Sequence, residues 1–197
     1  TTVCSDAAIG LTLNTNGTSV AAFNYNITAR TIAGGLVAAG SNAVVPSSGV
    51  AANFLANDKF TNTGNTPLAV TYTVEALSAS GCLGDPQVIT VTINPEPVVS
   101  NTLDLTQCSN VAIGLVLGTN GTSEPAINYN ITAMSVSAGL TAAGGNVAVP
   151  AAGVAANYLS NHTFANSTSL SLTVTYTVVP VSAAGCLGDP KVITVTI

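Results

Sequence analysis

Four cysteines, one histidine and eight carboxylates are the residues that could do chemistry in this sequence. The cysteines are Cys4, Cys82, Cys108 and Cys186. A zinc site needs about four Cys, His or carboxylate ligands at close spacing. His162 is the sole histidine, so no such set forms and no metal site is expected. The carboxylates are Asp6, Asp58, Glu75, Asp85, Glu96, Asp104, Glu124 and Asp189. Glycoside hydrolysis needs two carboxylates facing one site, and nothing in their spacing sets up such a pair. No P-loop and no nucleophile motif is present. The expectation is a chain with no catalytic residues and no cofactor, and not an enzyme.

What the cysteines do instead is repeat. The hexapeptide GCLGDP stands at residues 81–86 and again at 185–190. Cys4 recurs as Cys108 and Cys82 as Cys186, each at an offset of 104 residues. Asn24–Thr28 recurs as Asn128–Thr132, and Val70–Val74 as Val174–Val178, at the same offset. Roughly 60% of aligned positions are identical and no insertion separates the copies, as expected for duplication of one structural unit. Residues 94–104, NPEPVVSNTLD, have no second copy. Pro95 and Pro97 oppose ladder pairing there. The reading is two repeats, 1–93 and 105–197, joined by a proline-containing linker at 94–104. The missing linker copy also makes the chain look like a window on a longer tandem array.

The repeat sorts the candidate chemistry. Asp58 occupies the position of His162, so no role shared by both units rests on either, and His162 reads as a surface-loop histidine. Among the carboxylates only Asp85 and Asp189 correspond. Calcium prefers six or more oxygens and several carboxylates, so the two aspartates read first as turn formers beside proline; calcium there is a minor alternative.

Stepping outward, only 6% of residues are charged, against roughly 25% in ordinary soluble domains. Arg30, Lys59 and Lys191 are the only cations, too few to neutralise a row of phosphates, so nucleic acid is not an expected partner. Aliphatics are too abundant for disorder. No apolar run reaches the ~18 residues of a spanning helix. No leader of the basic-then-apolar kind opens the sequence, so a secreted form is expected to be processed.

Short runs rich in Val, Ile, Thr and Tyr alternate with Gly, Asn and Pro, which predicts an all-β fold. Leu68–Leu77 and Val88–Ile93 alternate most clearly. In 23–30, Phe23, Tyr25, Ile27 and Ala29 fall on one face and Asn24, Asn26, Thr28 and Arg30 on the other. Leu11–Leu13 leads into the turn signal Asn16-Gly17. Leu36–Val45 reads as a strand ended by Pro46, and Val50–Phe60 as either a helical turn or an irregular edge. Each unit of about 90 residues then fits a small immunoglobulin-like β-sandwich.

In such a sandwich we expect the first strand to begin where the last hairpin turns. That predicts Cys4–Cys82 and Cys108–Cys186, one bridge inside each domain. Pairing Cys82 with Cys108 would need Cα atoms within ~7 Å across a domain length. Each predicted bridge closes a loop worth ~4 kcal/mol in the chain-entropy account. Disulfides also imply an oxidising, extracellular or cell-surface setting.

VCSDAAIGLTL and QCSNVAIGLVL, the VTYTV strands, the GC-x-GDP turns and the closing VTVTINP resemble the PKD-like repeat domains of very large secreted proteins of Bacteroidota and related bacteria. The resemblance covers nearly the whole chain. It implies an immunoglobulin-like sandwich, secreted or cell-surface placement, and a spacer or adhesive role without catalytic residues.

Sequons for N-linked sugar stand at Asn16, Asn26, Asn120, Asn130, Asn161 and Asn166. Asn- and Thr-rich strands generate them by composition alone. The charge-poor exterior is the stronger signal. Sheets ordinarily guard their edges with charge, and here the guards are nearly absent, so copies of the chain are the expected partners. The function expected is a structural module of an extracellular bacterial filament or fibre. A stalk or adhesin module touching glycans or other cells is the alternative.

Overall fold

The computed structural model describes residues 1–197. The chain forms fourteen strands and no helix, and it divides into two compact units, Thr1–Pro95 and Glu96–Ile197.

In the first unit the strands are β1 (Thr2–Cys4), β2 (Ala22–Ile32), β3 (Val37–Ala38), β4 (Ser47–Val50), β5 (Phe60–Thr61), β6 (Leu68–Ser78) and β7 (Gln87–Asn94). Five of them make one sheet in the order β1-β7-β6-β2-β4, and β3 pairs with β5. The sheet is antiparallel except at its edge, where β1 runs parallel to β7 with Cys4 opposite Asn94. Against one face lie the 9–13 segment and a run of turns at 52–57. Those turns close through Phe54 N to Ala51 O, Ala56 N to Asn53 O and Asp58 N to Leu55 O. Leu13 N and Ile9 N donate to Ala52 O and Asp58 O, which fastens the two segments together. The enclosed core includes Ile9, Ile27, Leu55, Phe60, Val70, Tyr72, Val91 and Ile93.

The second unit repeats this plan with β8 (Leu105–Thr106), β9 (Ala126–Val136), β10 (Leu140–Ala142), β11 (Ala151–Val154), β12 (Phe164–Asn166), β13 (Thr173–Ser182) and β14 (Lys191–Thr196). Its sheet order is β11-β9-β13-β14-β8, with β14 and β8 parallel. Its core holds most of the equivalent side chains; Ile193 is buried where Ile89 is only partly so, Leu140 is partly buried where Leu36 is buried, and Val99, 3% exposed, is added. Each unit is thus a β-sandwich of one full sheet faced by a short ribbon and extended segments.

β6 and β7 form where the alternation places them. Val70, Tyr72 and Val74 point inward while Thr71 and Thr73 point out. Two segments differ from the sequence reading. Phe23 is 75% exposed instead of buried, because β2 shifts register against β6 between Ala22 and Asn24. A second shift between Ile27 and Ala29 turns Ala29 outward too. A bulge adds a residue and so reverses facing on either side of it. The strand expected over 36–45 is reduced to β3, and the longer pairing begins after the cis bond Val45–Pro46, in β4. Leu11–Leu13, ahead of the Asn16-Gly17 turn, lies along the 52–57 turns without entering a sheet.

Candidate functional site

Neither predicted disulfide exists. Cys82 and Cys108 are exposed free thiols, whereas Cys4 and Cys186 are disulfide-bonded. The reason lies in the parallel edge. Cys4 sits opposite Asn94, at the far end of β7, whereas Cys82 precedes the near end at Gln87. Seven residues of strand separate the two levels, roughly 23 Å at 3.3 Å per residue. In the second unit Thr106 lies opposite Thr196, so Cys108 follows the far end of β14, while Cys186 lies in the turn before Lys191. The expectation erred in starting the first strand beside the last hairpin. That hairpin is held by its own bonds: Ser78 N to Cys82 O and Gly84 N to Ala76 O.

Beneath each ribbon lies a polar group that sequence reasoning misplaced. His162 is not a surface residue; it is 1% exposed, and its Nδ1 lies 2.8 Å from the Tyr176 hydroxyl. The Phe164 ring packs against it edge-on. Nε2 is buried without a hydrogen-bond partner. Burial lowers the imidazole pKa below the ordinary histidine value, and the nearby Val147 backbone only partly opposes this. In the first unit the same position is Asp58, also 1% exposed. Its carboxylate accepts from the Tyr72 hydroxyl at 2.7 Å, from Ala43 N at 2.7 Å and from Arg30 at 3.3 Å. Burial first, then the Asp58 hydrogen bond and charge, raise the Tyr72 pKa well above its usual range. Burial does the same to Tyr176. The second unit has Met134 at the position of the cation and an imidazole at that of the anion. Arg30 and Met134 each sit directly across the ladder from the tyrosine. These groups are enclosed and hydrogen-bonded within the core. Their chemistry is structural support, and a buried polar residue fourteen positions before a core tyrosine is the only sequence signal for it.

The open feature of the first unit is a cleft of about 600 Å³ between the Asn14–Ser19 loop and the Gly84–Gln87 turn. Tyr25, Val74, Ala76 and Ile89 form its floor and walls. A smaller cleft of about 330 Å³ adjoins it and includes Cys82 and Leu83. In the second unit the corresponding loop and turn hold a stretch of chain. Val98 N donates to Ser123 Oγ, Asn120 N to Val98 O, and Ser100 N to Gly118 O. Val99 pairs with Thr119. Most of the segment read as a linker, from Glu96 on, is therefore packed into the second unit.

Three large apolar side chains are exposed at equivalent places in both units: Phe23 and Ile127, Leu83 and Leu187, Val88 and Val192. Other exposed apolar positions are not shared; Val20, for example, is Glu124 in the second copy. Thr71 lies opposite Thr90, and Thr175 opposite Thr194, on the outer sheet faces.

The remaining candidates are placed as follows. Asp85 and Asp189 are exposed in their turns. Of the sequon residues, Asn16 and Asn120 accept from the backbone two and three residues ahead, forming Asx turns. Asn26 and Asn130 accept from Gly49 N and Gly153 N. The Asn166 side-chain nitrogen donates to Leu170 O and Ile197 O, and Asn161 is exposed. The structure has no helix long and apolar enough to cross a membrane.

The fold and these surfaces define a class, the tandem β-sandwich module. The chain belongs to the PKD-like domain family, whose profile matches residues 1–97 and 141–197. No curated protein matches it. Membership makes it an extracellular-type structural or adhesion module, and such domains are generally non-catalytic. The disulfide-bonded cysteines fit the same setting.

Proposed function

We propose that this chain is a structural repeat module of an extracellular bacterial surface filament or fibre, whose units associate through their charge-poor surface. The observation that carries this reading is the recurrence of exposed apolar side chains at matched positions: Phe23 with Ile127, Leu83 with Leu187, Val88 with Val192. Exposed apolar groups clustered on a protein mark contact surfaces, and low charge removes the repulsion that keeps copies apart. The free thiols of Cys82 and Cys108 offer a covalent supplement. Two thiols from different copies lose two protons and two electrons to a small-molecule disulfide as oxidant, giving one new bond and two reduced small thiols.

The test is sedimentation velocity and electron microscopy of the full chain across a range of concentrations. Ordered, concentration-dependent assemblies are expected, and Phe23→Ser with Ile127→Ser should dissolve them. A monodisperse monomer at high concentration would overturn the reading.

The threonine pairs Thr71–Thr90 and Thr175–Thr194 favour a second reading. Neutral hydroxyl rows stay hydrated without self-association, as suits a spacer or adhesin stalk that meets glycans or other cells. A monomer that binds immobilised glycans would support it.

A further inference from the structure

The cleft of the first unit coincides, residue for residue, with the seat of an extended segment in the second. Subtracting 104 from the residues that hold Pro97–Ser100 gives residues of the cleft. Gly118, Asn120 and Ser123 become Asn14, Asn16 and Ser19, and Gly188 becomes Gly84; all four line the cleft. In the second unit the fit is close. A Cβ added to Gly188 would collide with the Pro97 carbonyl oxygen and come within 2.8 Å of the Pro180 ring. In the first unit the same addition at Gly84 meets nothing nearer than the Ala76 carbonyl at 3.6 Å. Ala76 stands where the second unit has Pro180, so the mouth is also wider.

We propose that the cleft of the first unit is a docking groove for an extended Pro-Val-Val-Ser-type strand placed ahead of β1 in the same chain, as Pro97–Ser100 is placed ahead of β8. Three features identify the occupant. The groove presents the backbone of Asn16 and Asn14, whose counterparts bind Val98 O and Ser100 N. Its apolar floor matches the seat of Val99. The seat leads directly into the first strand, because only four residues separate Ser100 from Leu105, which favours a strand in the same chain over one from another copy. The inference is independent of whether chains assemble into filaments.

The experiment grafts the 94–104 sequence directly before Thr1 in the full chain and measures amide hydrogen exchange. The Asn16 amide should become at least about tenfold more protected, as its counterpart Asn120 N bonds Val98 O. Gly84→Ala should leave the ungrafted chain folded but abolish the added protection, because the new methyl occupies the path of the Pro97-type carbonyl. Val99→Asp within the graft, which leaves the groove itself untouched, should abolish it as well. Unchanged exchange at Asn16 in the grafted chain would overturn the proposal. So would protection by the free 94–104 peptide but not by the graft, which would assign the groove to a second molecule.

Discussion

Asp58 and Tyr72 form a 2.7 Å hydrogen bond inside the first unit, and His162 and Tyr176 form its 2.8 Å counterpart in the second. The duplication has kept the tyrosine and exchanged the charge. Where the first unit has an anion paired with a guanidinium, the second has an imidazole, and methionine stands at the arginine's position. The two units therefore respond differently to protons and to mutation.

Acid should weaken the second unit first. His162 has a folded-state pKa below its unfolded value of about 6.5. The unfolded chain therefore binds the proton at a higher pH than the folded unit does. The histidine's stabilising contribution is fully present above about pH 6.5 and declines as pH falls toward the depressed folded value. Urea melts followed by tyrosine fluorescence, the chain having no Trp, should show a midpoint falling between pH 7 and pH 5. His162→Asn should flatten that slope. A slope unchanged by the substitution would count against the burial argument.

The ion pair should be costly to break and cheap to exchange. Asp58→Ala leaves Ala43 N and the Tyr72 hydroxyl without their acceptor and Arg30 without its counter-ion, the Ala43 carbonyl alone still accepting from it. A loss of about 3–5 kcal/mol is expected in the unfolding free energy of the first unit, as for other broken buried pairs. Arg30→Met combined with Asp58→His installs the second unit's solution and should recover most of it. Additive losses in the double variant would show that the two solutions are not interchangeable.

The two glycines of the repeated hexapeptide should not be equivalent. Gly188→Ala drives a methyl into the Pro97 carbonyl and should destabilise the second unit by about 1–3 kcal/mol, the usual penalty of overpacking. Gly84→Ala has ordinary contact distances and should be nearly silent in the same denaturation assay.

Thiol labelling checks the cysteine assignment. Native protein should take up two equivalents of maleimide, mapped by peptide mass to Cys82 and Cys108. Cys4 and Cys186 should label only after reduction. Two bridges confined within the repeats would instead give no labelling at all.

Much of this fold was legible because β6 and β7 alternate cleanly, and because a constant offset exposes the duplication. What escaped has physical causes. Parallel pairing of β1 with β7 is a long-range contact with no local signature, and the cysteine pairing failed with it. The facing of Phe23 depended on a bulge, which one extra residue creates and alternation cannot register. His162 was read as a surface residue because it is polar, yet Tyr176 supplies the partner that burial demands. The segment 94–104 looked like a linker because Pro95 and Pro97 oppose ladders; Val99 nonetheless fills a core position.

The parallel edge also decides how a unit meets tension. β1 and β7 are neighbours running the same way, and each lies next to its own end of the unit. Force applied at Thr1 and at Pro95 draws them past one another along their length. The register of Thr2 with Thr92, Val3 with Ile93 and Cys4 with Asn94 is then sheared as a set; it is not peeled open one bond at a time. Between those two points the noncovalent resistance of the unit is that short clamp, which slips as one piece, while the disulfide at Cys4 carries load independently of it.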